Sequence, residues 1–300
     1  MMKLNKLALG DKPLFQKYLQ QTSRPLSPYS FANMYVWRDL CDILWQECEG
    51  TLCVFFKEKR GGFLYLPPLG KTSISDAALR GIFSILDAWN KNPAVSRIEN
   101  IPEQGIPFFT GRGLRVYEKP GDYLCKRVSI ERFAGDAFKS QRAARNYFVK
   151  HNRFEYLPYL SSDAPECLAL FDAWKKERSA KIVDAVYRGM IDDTRTTVAI
   201  ALRDAGELGF IGRIVRIDGT IRAFTLGYQL NEDTFCVMFE ITDLSVKGIS
   251  QFIFSSLCRE LERYTFVNIM DDSGLENLKR TKRAYHPVRI VPNYVAVRAH

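Results

Sequence analysis

From residue 41 onward, apolar and polar residues alternate in short runs that predict a three-strand meander. The runs are CDILWQEC (41–48), TLCVFFKEK (51–59) and FLYLPPL (63–69). Glu49-Gly50 joins the first two, and Gly61-Gly62 leads into the third. The period then changes: Ala78, Ile82, Ile85, Leu86 and Trp89 recur at helical spacing and predict a helix over 74–91. A strand near 96–101, a short helix near 102–108 and a strand near 113–118 complete this half. Helices over 11–20 and 29–38 precede it.

The second half repeats the order. Strands ELGFIGRIVRI, TIRAFTLGYQL and DTFCVMFEI are separated by Asp218-Gly219 and Asn231-Glu232, both tight-turn pairs. A helix over 248–263 follows, striped by Ile249, Phe252, Ile253, Leu257 and Leu261. A strand over 265–269, a helix over 273–285 and a last strand, VRIVPNYVAVR, end the chain. Each half even places an Asn near the end of the strand before its short helix, Asn100 and Asn268. The pattern predicts an internal duplication. The expected fold is α/β of the α+β kind, with two tandem acetyltransferase-like (GNAT) domains, each a mixed, mostly antiparallel sheet flanked by helices. Expected boundaries are 1–120 and 201–300, with a basic helical connection over 121–200 packing with the second domain.

Composition narrows the class. With 46% hydrophobic and 26% charged residues, the chain has the make-up of a well-cored soluble globule. A net charge of +9 favours polyanions: nucleic acid, nucleotide phosphates or an anionic membrane. The seven cysteines form no Cys-x-x-Cys pair and sit mostly in apolar runs, as reduced buried thiols do. Three histidines, His151, His286 and His300, are too few for a His-rich metal centre, and no metal site is expected. No stretch resembles a signal peptide or a ~20-residue apolar span, which predicts a cytoplasmic protein without a transmembrane segment.

Candidate chemistry concentrates near the C-terminus, in NIMDDSGLENLKRTKRAYHP (268–287). Asp272 or Ser273 can cap the helix, with Glu276 at the capping-box position. On the helical wheel Lys282 falls between Leu278 and Leu275, inside the apolar sector, with Lys279 and Arg283 at its edge. An inward lysine must snorkel, pair with a carboxylate or meet an anion. Glu240, at the end of TFCVMFE, is a possible partner and a carboxylate able to orient or deprotonate a nucleophile. Next along the chain, Lys247 and Gly248 precede a helix N-terminus, where backbone amides can receive an anion. The glycine-rich signature of acetyl-CoA-binding acetyltransferases is absent there. In the first half, Trp37 and Arg38 lie among the aromatics of SPYSFANMYVWRD; such density usually means core, with ligand contact as the alternative. The basic run 139–153 reads as a solvated helix face that could also touch phosphate.

Four blocks in order, SPYSFANMYVWRD, GDYLCKRVSIERFAGDAFKSQRAARNYF, FEITDLSVKGISQFI and VNIMDDSGLENLKRTKRAYHP, resemble a bacterial family similar to the C-terminal catalytic domain of phosphatidylglycerol lysyltransferase. The most specific block is Asn-x-x-x-Asp-x-Gly-x-x-x-Leu-[Arg/Lys]-x-x-Lys-x-x-Tyr-x-Pro. It falls on Asn268, Asp272, Gly274, Leu278, Lys279, Lys282, Tyr285 and Pro287. The resemblance implies tandem acetyltransferase-like domains and transfer of an aminoacyl group from aminoacyl-tRNA. From the reading of the residues, the expected catalytic residues are Glu240, Asp272 and Lys282. Substrate contacts are then expected from Lys247, Gly248, Asn268, Lys279, Tyr285, Arg142, Asn146, Trp37 and Arg38. This chain departs from the family at Ile241, where a lysine is usual, at Gln141 and Ala143, and at Lys279 in place of arginine.

Two functions follow as expectations. One is an acyl- or aminoacyl-transferase that needs no resident cofactor, with acyl-CoA or aminoacyl-tRNA as donor and an amine or hydroxyl as acceptor. The other is a non-catalytic protein that binds an anionic ligand, tRNA or an anionic phospholipid headgroup, cytoplasmic or peripheral to the membrane.

Overall fold

The computed structural model describes residues 4–22, 25–71, 73–179 and 185–299. His300 and positions 180–184 of the expected helical connection lie outside the described residues. The chain divides into two compact units, one of residues 1–122, 271–274 and 290–300, the other of residues 123–270 and 275–289.

In the first unit the predicted meander forms: β1 (Asn5–Lys6), then, after α1 (Lys12–Leu19) and α2 (Phe31–Tyr35), β2 (Asp42–Cys48), β3 (Thr51–Glu58) and β4 (Gly61–Leu64). Glu49 and Gly50 both adopt positive φ, 50° and 72°, as a two-residue hairpin turn with right-handed strand twist demands. α3 (Asp76–Trp89) is capped by Ser75, whose hydroxyl accepts from the Ala78 N–H at 3.1 Å. Its buried stripe, Ala78, Leu79, Ile82, Phe83 and Leu86, packs on Phe55, Leu64, Ile98 and Ile101. β5 (Arg97–Ile101), α4 (Ile106–Thr110) and β6 (Leu114–Lys126) follow. β6 runs far beyond the expected 113–118, straight through Pro120-Gly121. Gly121 permits it, since a Cβ there would stand 2.2 Å from the Val291 carbonyl oxygen.

The second unit starts with the last residues of β6 and continues through α5 (Arg127–Arg132), α6 (Lys139–His151), β7 (Phe154–Pro158), α7 (Ala164–Ser179), α8 (Ala185–Arg203) and α9 (Ala205–Leu208). β8 (Ile211–Ile217), β9 (Thr220–Gln229) and β10 (Thr234–Thr242) form the second meander, turned at Asp218-Gly219 with φ of 50° and 76°. α10 (Ile249–Glu260), β11 (Phe266–Asn268) and α11 (Glu276–Arg283) complete the unit, and β12 (Arg289–Arg298) returns to the first. The connection is therefore not wholly helical, because β7 pairs antiparallel with β8 at the sheet edge.

In each unit the third meander strand pairs parallel with the strand after the long helix: β4 with β5, and β10 with β11. The pairs β1–β2, β2–β3, β3–β4, β5–β12, β6–β11, β7–β8, β8–β9 and β9–β10 are antiparallel. The last strand of each repeat is exchanged. β12 pairs with β5, Tyr294 opposite Ile101, while the end of β6 pairs with β11, Leu124 opposite Asn268. Asn100 and Asn268, the residues the two halves share, are both buried.

The α11 boundary differs from expectation. The helix starts at Glu276 with Leu275 as N-cap and no side-chain cap. Asp271 and Asp272 instead accept from the backbone N–H two residues on, at Ser273 (2.7 Å) and Gly274 (2.9 Å). Those local turns hold Ser273 and Gly274 at positive φ, which is incompatible with helix, and so displace its start.

Candidate active site

β10 and β11 stay paired only over Thr234–Cys236 and Phe266–Asn268. Beyond Cys236 β10 continues to Thr242 with its register on β9, while β11 ends at Asn268, which leaves a wedge beside β10 where its parallel partner stops. Glu240 lies in that open part. Its direction is set by a bulge: Val237 is opposite Gly227 while Phe239 is opposite Leu226, leaving Met238 as the extra residue. Phe235 and Val237 pack with Phe254 and Leu257 of α10. Strict alternation would send Phe239 and Ile241 the same way and Glu240 to the opposite face. The added residue turns the carboxylate onto the α10 face, where Oε1 accepts from the Ser250 hydroxyl at 2.6 Å.

The environment of that carboxylate is largely apolar although the residue is only half-buried. Burial pushes its pKa up to about 7, with the Ser250 hydroxyl and the Lys282 charge acting against the rise. Lys282 and Glu240 thus feel one another within the second unit. The Lys282 ammonium donates to the Ile269 carbonyl and, at 3.4 Å, to the Met270 carbonyl. Those carbonyls are presented by a bend after β11. Asn268, fully buried, accepts from the Met270 N–H at 2.6 Å, and Met270 takes φ of 62°. The inward lysine expected from the helical wheel is therefore met by backbone oxygens.

Tyr285 closes the group. Its ring stands edge-on to Phe254 at 5.0 Å and stacks on Phe133 at 6.3 Å. Burial and then the Glu240 charge hold its phenol well above the ordinary value. The buried Cys125 thiol, 3.8 Å from the Tyr285 carbonyl, is pushed up to about 12 by burial.

Other expected site residues have local partners. Gly248 takes φ of 85° at the N-cap of α10, and a Cβ there would stand 2.0 Å from the Ala144 carbonyl oxygen of α6. Lys247 sits over the Tyr147 ring at 4.6 Å. Arg142 donates to the carbonyls of Phe133 and Gly135 (2.9 Å to the latter), where the chain leaves α5 with Phe133 at φ of 47°. Neighbouring Arg145 donates to the Glu131 carbonyl at 3.1 Å and approaches the Asn146 side-chain oxygen at 3.4 Å. Lys279 faces Glu276 at 3.7 Å.

Asp272, Trp37 and Arg38 belong to the first unit. Asp272 is buried, and the Arg38 guanidinium lies 4.2 Å from the Tyr35 ring centre. The structure thus gathers Glu240, Lys282, Asn268 and Tyr285 at one wedge. Ser250 joins them, a residue that sequence reasoning missed. Its signal was its place, two residues after Gly248 and in the first turn of α10. A separate hollow between α7 and β9 is lined by Leu170, Trp174, Ile221 and the ion pair of Asp243 with Arg222 at 2.8 Å.

The family model for the C-terminal part of phosphatidylglycerol lysyltransferase matches residues 20–297. The chain belongs to that family. Among solved structures, a conserved protein of unknown function from Bacteroides thetaiotaomicron is similar over all of both chains, at 24% identity and a TM-score of 0.87. The L-PGS structure from Bacillus licheniformis matches 98% of this chain and 93% of its own, at 14% identity and a TM-score of 0.64. A tandem GNAT protein from the clavulanic acid biosynthesis pathway matches 98% of this chain and 97% of its own, at 8% identity and a TM-score of 0.51. At these identities the likenesses establish the fold, that of tandem acetyltransferase-like domains. No curated protein sequence matches the chain. Among the described residues no helix is long and apolar enough to cross a membrane.

Proposed function

We propose that this member of the family is an aminoacyltransferase, with aminoacyl-tRNA as donor and a hydroxyl or amine as acceptor. The observation that carries the reading is the Glu240 carboxylate at the open end of β10, held by the Ser250 hydroxyl at 2.6 Å and within electrostatic reach of the Lys282 ammonium, with burial raising its pKa to about 7. A base is most useful when its pKa is near the working pH. Glu240 takes the proton from the acceptor as the acceptor oxygen or nitrogen bonds to the ester carbonyl carbon. Lys282 stabilises the negative oxygen of the tetrahedral intermediate. The carbon–oxygen bond to the tRNA ribose then breaks, and the departing oxygen recovers the proton held by Glu240.

The start of α10 favours this donor over acyl-CoA. A pyrophosphate needs bare amides at a helix N-terminus, whereas the Ala144 carbonyl is packed against Gly248 and carries the wrong partial charge. The +9 net charge favours an anionic partner such as tRNA, or a phospholipid headgroup at a membrane surface.

A second reading, binding without turnover, rests on Ile241. This residue is buried and apolar where the resemblance leads one to expect lysine. The two are separated by incubating the protein with charged tRNAs, acyl-CoAs and candidate acceptors, followed by mass spectrometry of the acceptors. Transfer from aminoacyl-tRNA is expected, reduced at least ~100-fold in Glu240→Gln and in Lys282→Ala. Salt-sensitive binding of tRNA with no product would establish the second reading instead.

A further inference from the structure

The Glu240 carboxylate does not stand alone at the wedge. The Ser250 hydroxyl has one proton, and it is given to Glu240 Oε1 at 2.6 Å. The Tyr285 phenol also feels the Glu240 charge, which after burial holds its pKa above the ordinary value. Glu240, Ser250 and Tyr285 come from different elements: the end of β10, the first turn of α10 and the turn after α11.

The backbone fixes the position of Ser250. Gly248 approaches α6 so closely that no side chain fits, and its φ of 85° is open chiefly to glycine. The start of α10 is therefore pinned, and Ser250 follows two residues later. A serine at this place in a helix is otherwise a weak helix former with no capping bond of its own.

We propose that Ser250 is a positioning residue, which aims the Glu240 carboxylate into the wedge and keeps it available as a proton acceptor. This inference rests on the transferase reading for its purpose. The Ser250 contact itself can be tested without any substrate.

The groups that interact with Glu240 are Ser250 and Cys258 from α10, and Lys282 and Tyr285 from α11 and its following turn. Of these, Ser250 and Lys282 favour the ionised carboxylate. Losing the Ser250 donor should thus move the Glu240 midpoint upward by about one pH unit.

The test is a carbon-13 NMR titration of glutamate-labelled protein, with the Glu240 resonance identified by its loss in Glu240→Gln. Ser250→Ala is expected to raise the midpoint by about one unit, and Ser250→Thr, which keeps the hydroxyl, to restore it. If Ser250→Ala leaves the midpoint within about 0.2 unit of the parent, or if Thr fails to restore it in a folded protein, the assignment is wrong. In the transfer assay, the acidic limb of the kcat profile should shift with the midpoint while KM stays nearly constant. Absence of transfer in the parent protein would overturn the transferase reading while leaving the titration result to decide Ser250.

Discussion

Replacing Glu240 by glutamine keeps the shape of the side chain and an oxygen able to accept from Ser250, and removes only the charge. The ordinary glutamate value is 4.5 and the folded one about 7. The difference of about 2.5 units, at 1.36 kcal/mol per unit, is about 3 kcal/mol. Because the half-buried residue keeps some contact with water, the measurable effect should be about 1–3 kcal/mol. Between pH 4.5 and 7 the folded protein holds this proton more tightly than the unfolded chain does. Stability of the parent must therefore fall as pH rises through that window. The favourable term is complete below 4.5 and lost above about 7. Urea unfolding of parent and Glu240→Gln at half-unit steps from pH 4 to 8.5 isolates the contribution, since every other titration cancels in the difference. The glutamine variant should gain on the parent from pH 4.5 upward and level off above 7. A difference that is flat across pH 5–8, or one that favours the parent at pH 8, would refute the account of the Glu240 environment.

Three further outcomes follow from the geometry. Gly248→Ala places a Cβ against the Ala144 carbonyl at a φ that disfavours alanine, and should cost more than about 3 kcal/mol in chemical unfolding; a loss under 1 kcal/mol would mean that α10 is not pinned there. Asn100→Ala removes the donor to the Tyr65 carbonyl (2.8 Å) and the acceptor of the Asn293 amide (3.1 Å), and should cost about 2–4 kcal/mol. Arg142→Ala should cost about 1–2 kcal/mol by releasing the Phe133 and Gly135 carbonyls, whereas Arg142→Lys should recover only part, since lysine lacks the fork. Thermal melts would show whether the two substitutions differ.

Much of the architecture could be read from local patterns. Gly50 and Gly219 announce their turns because glycine adopts the positive φ that a tight hairpin turn needs. The stripes of α3 and α10 announce helices because burial selects every third or fourth position. What stayed hidden depended on contacts far along the chain. Pro120-Gly121 looked like a strand end, yet β6 passes through it because β12 lies alongside in the sheet. Asp272 and Ser273 looked like a cap, but the short Asp side chains closed local turns first. At the site, the inward direction of Lys282 was legible from the wheel. The bulge at Met238, which turns Glu240 onto the α10 face, leaves no mark in the local composition.

The strand exchange gives the chain an order of completion that runs against its order of synthesis. The first unit is begun by residues that leave the ribosome early, yet β5 must wait for β12, with Ile98 opposite Ala296. All of the second unit is made in that interval. Closing so long a separation costs more chain entropy than any hairpin in the molecule, and non-local pairing is slow. Until β12 arrives, β5 presents an unpaired edge of the kind that chaperones or a neighbouring nascent chain can engage. The second unit, built from near-contiguous chain and needing only the already available end of β6, is equipped to fold first, while the earlier-made unit waits for its last strand.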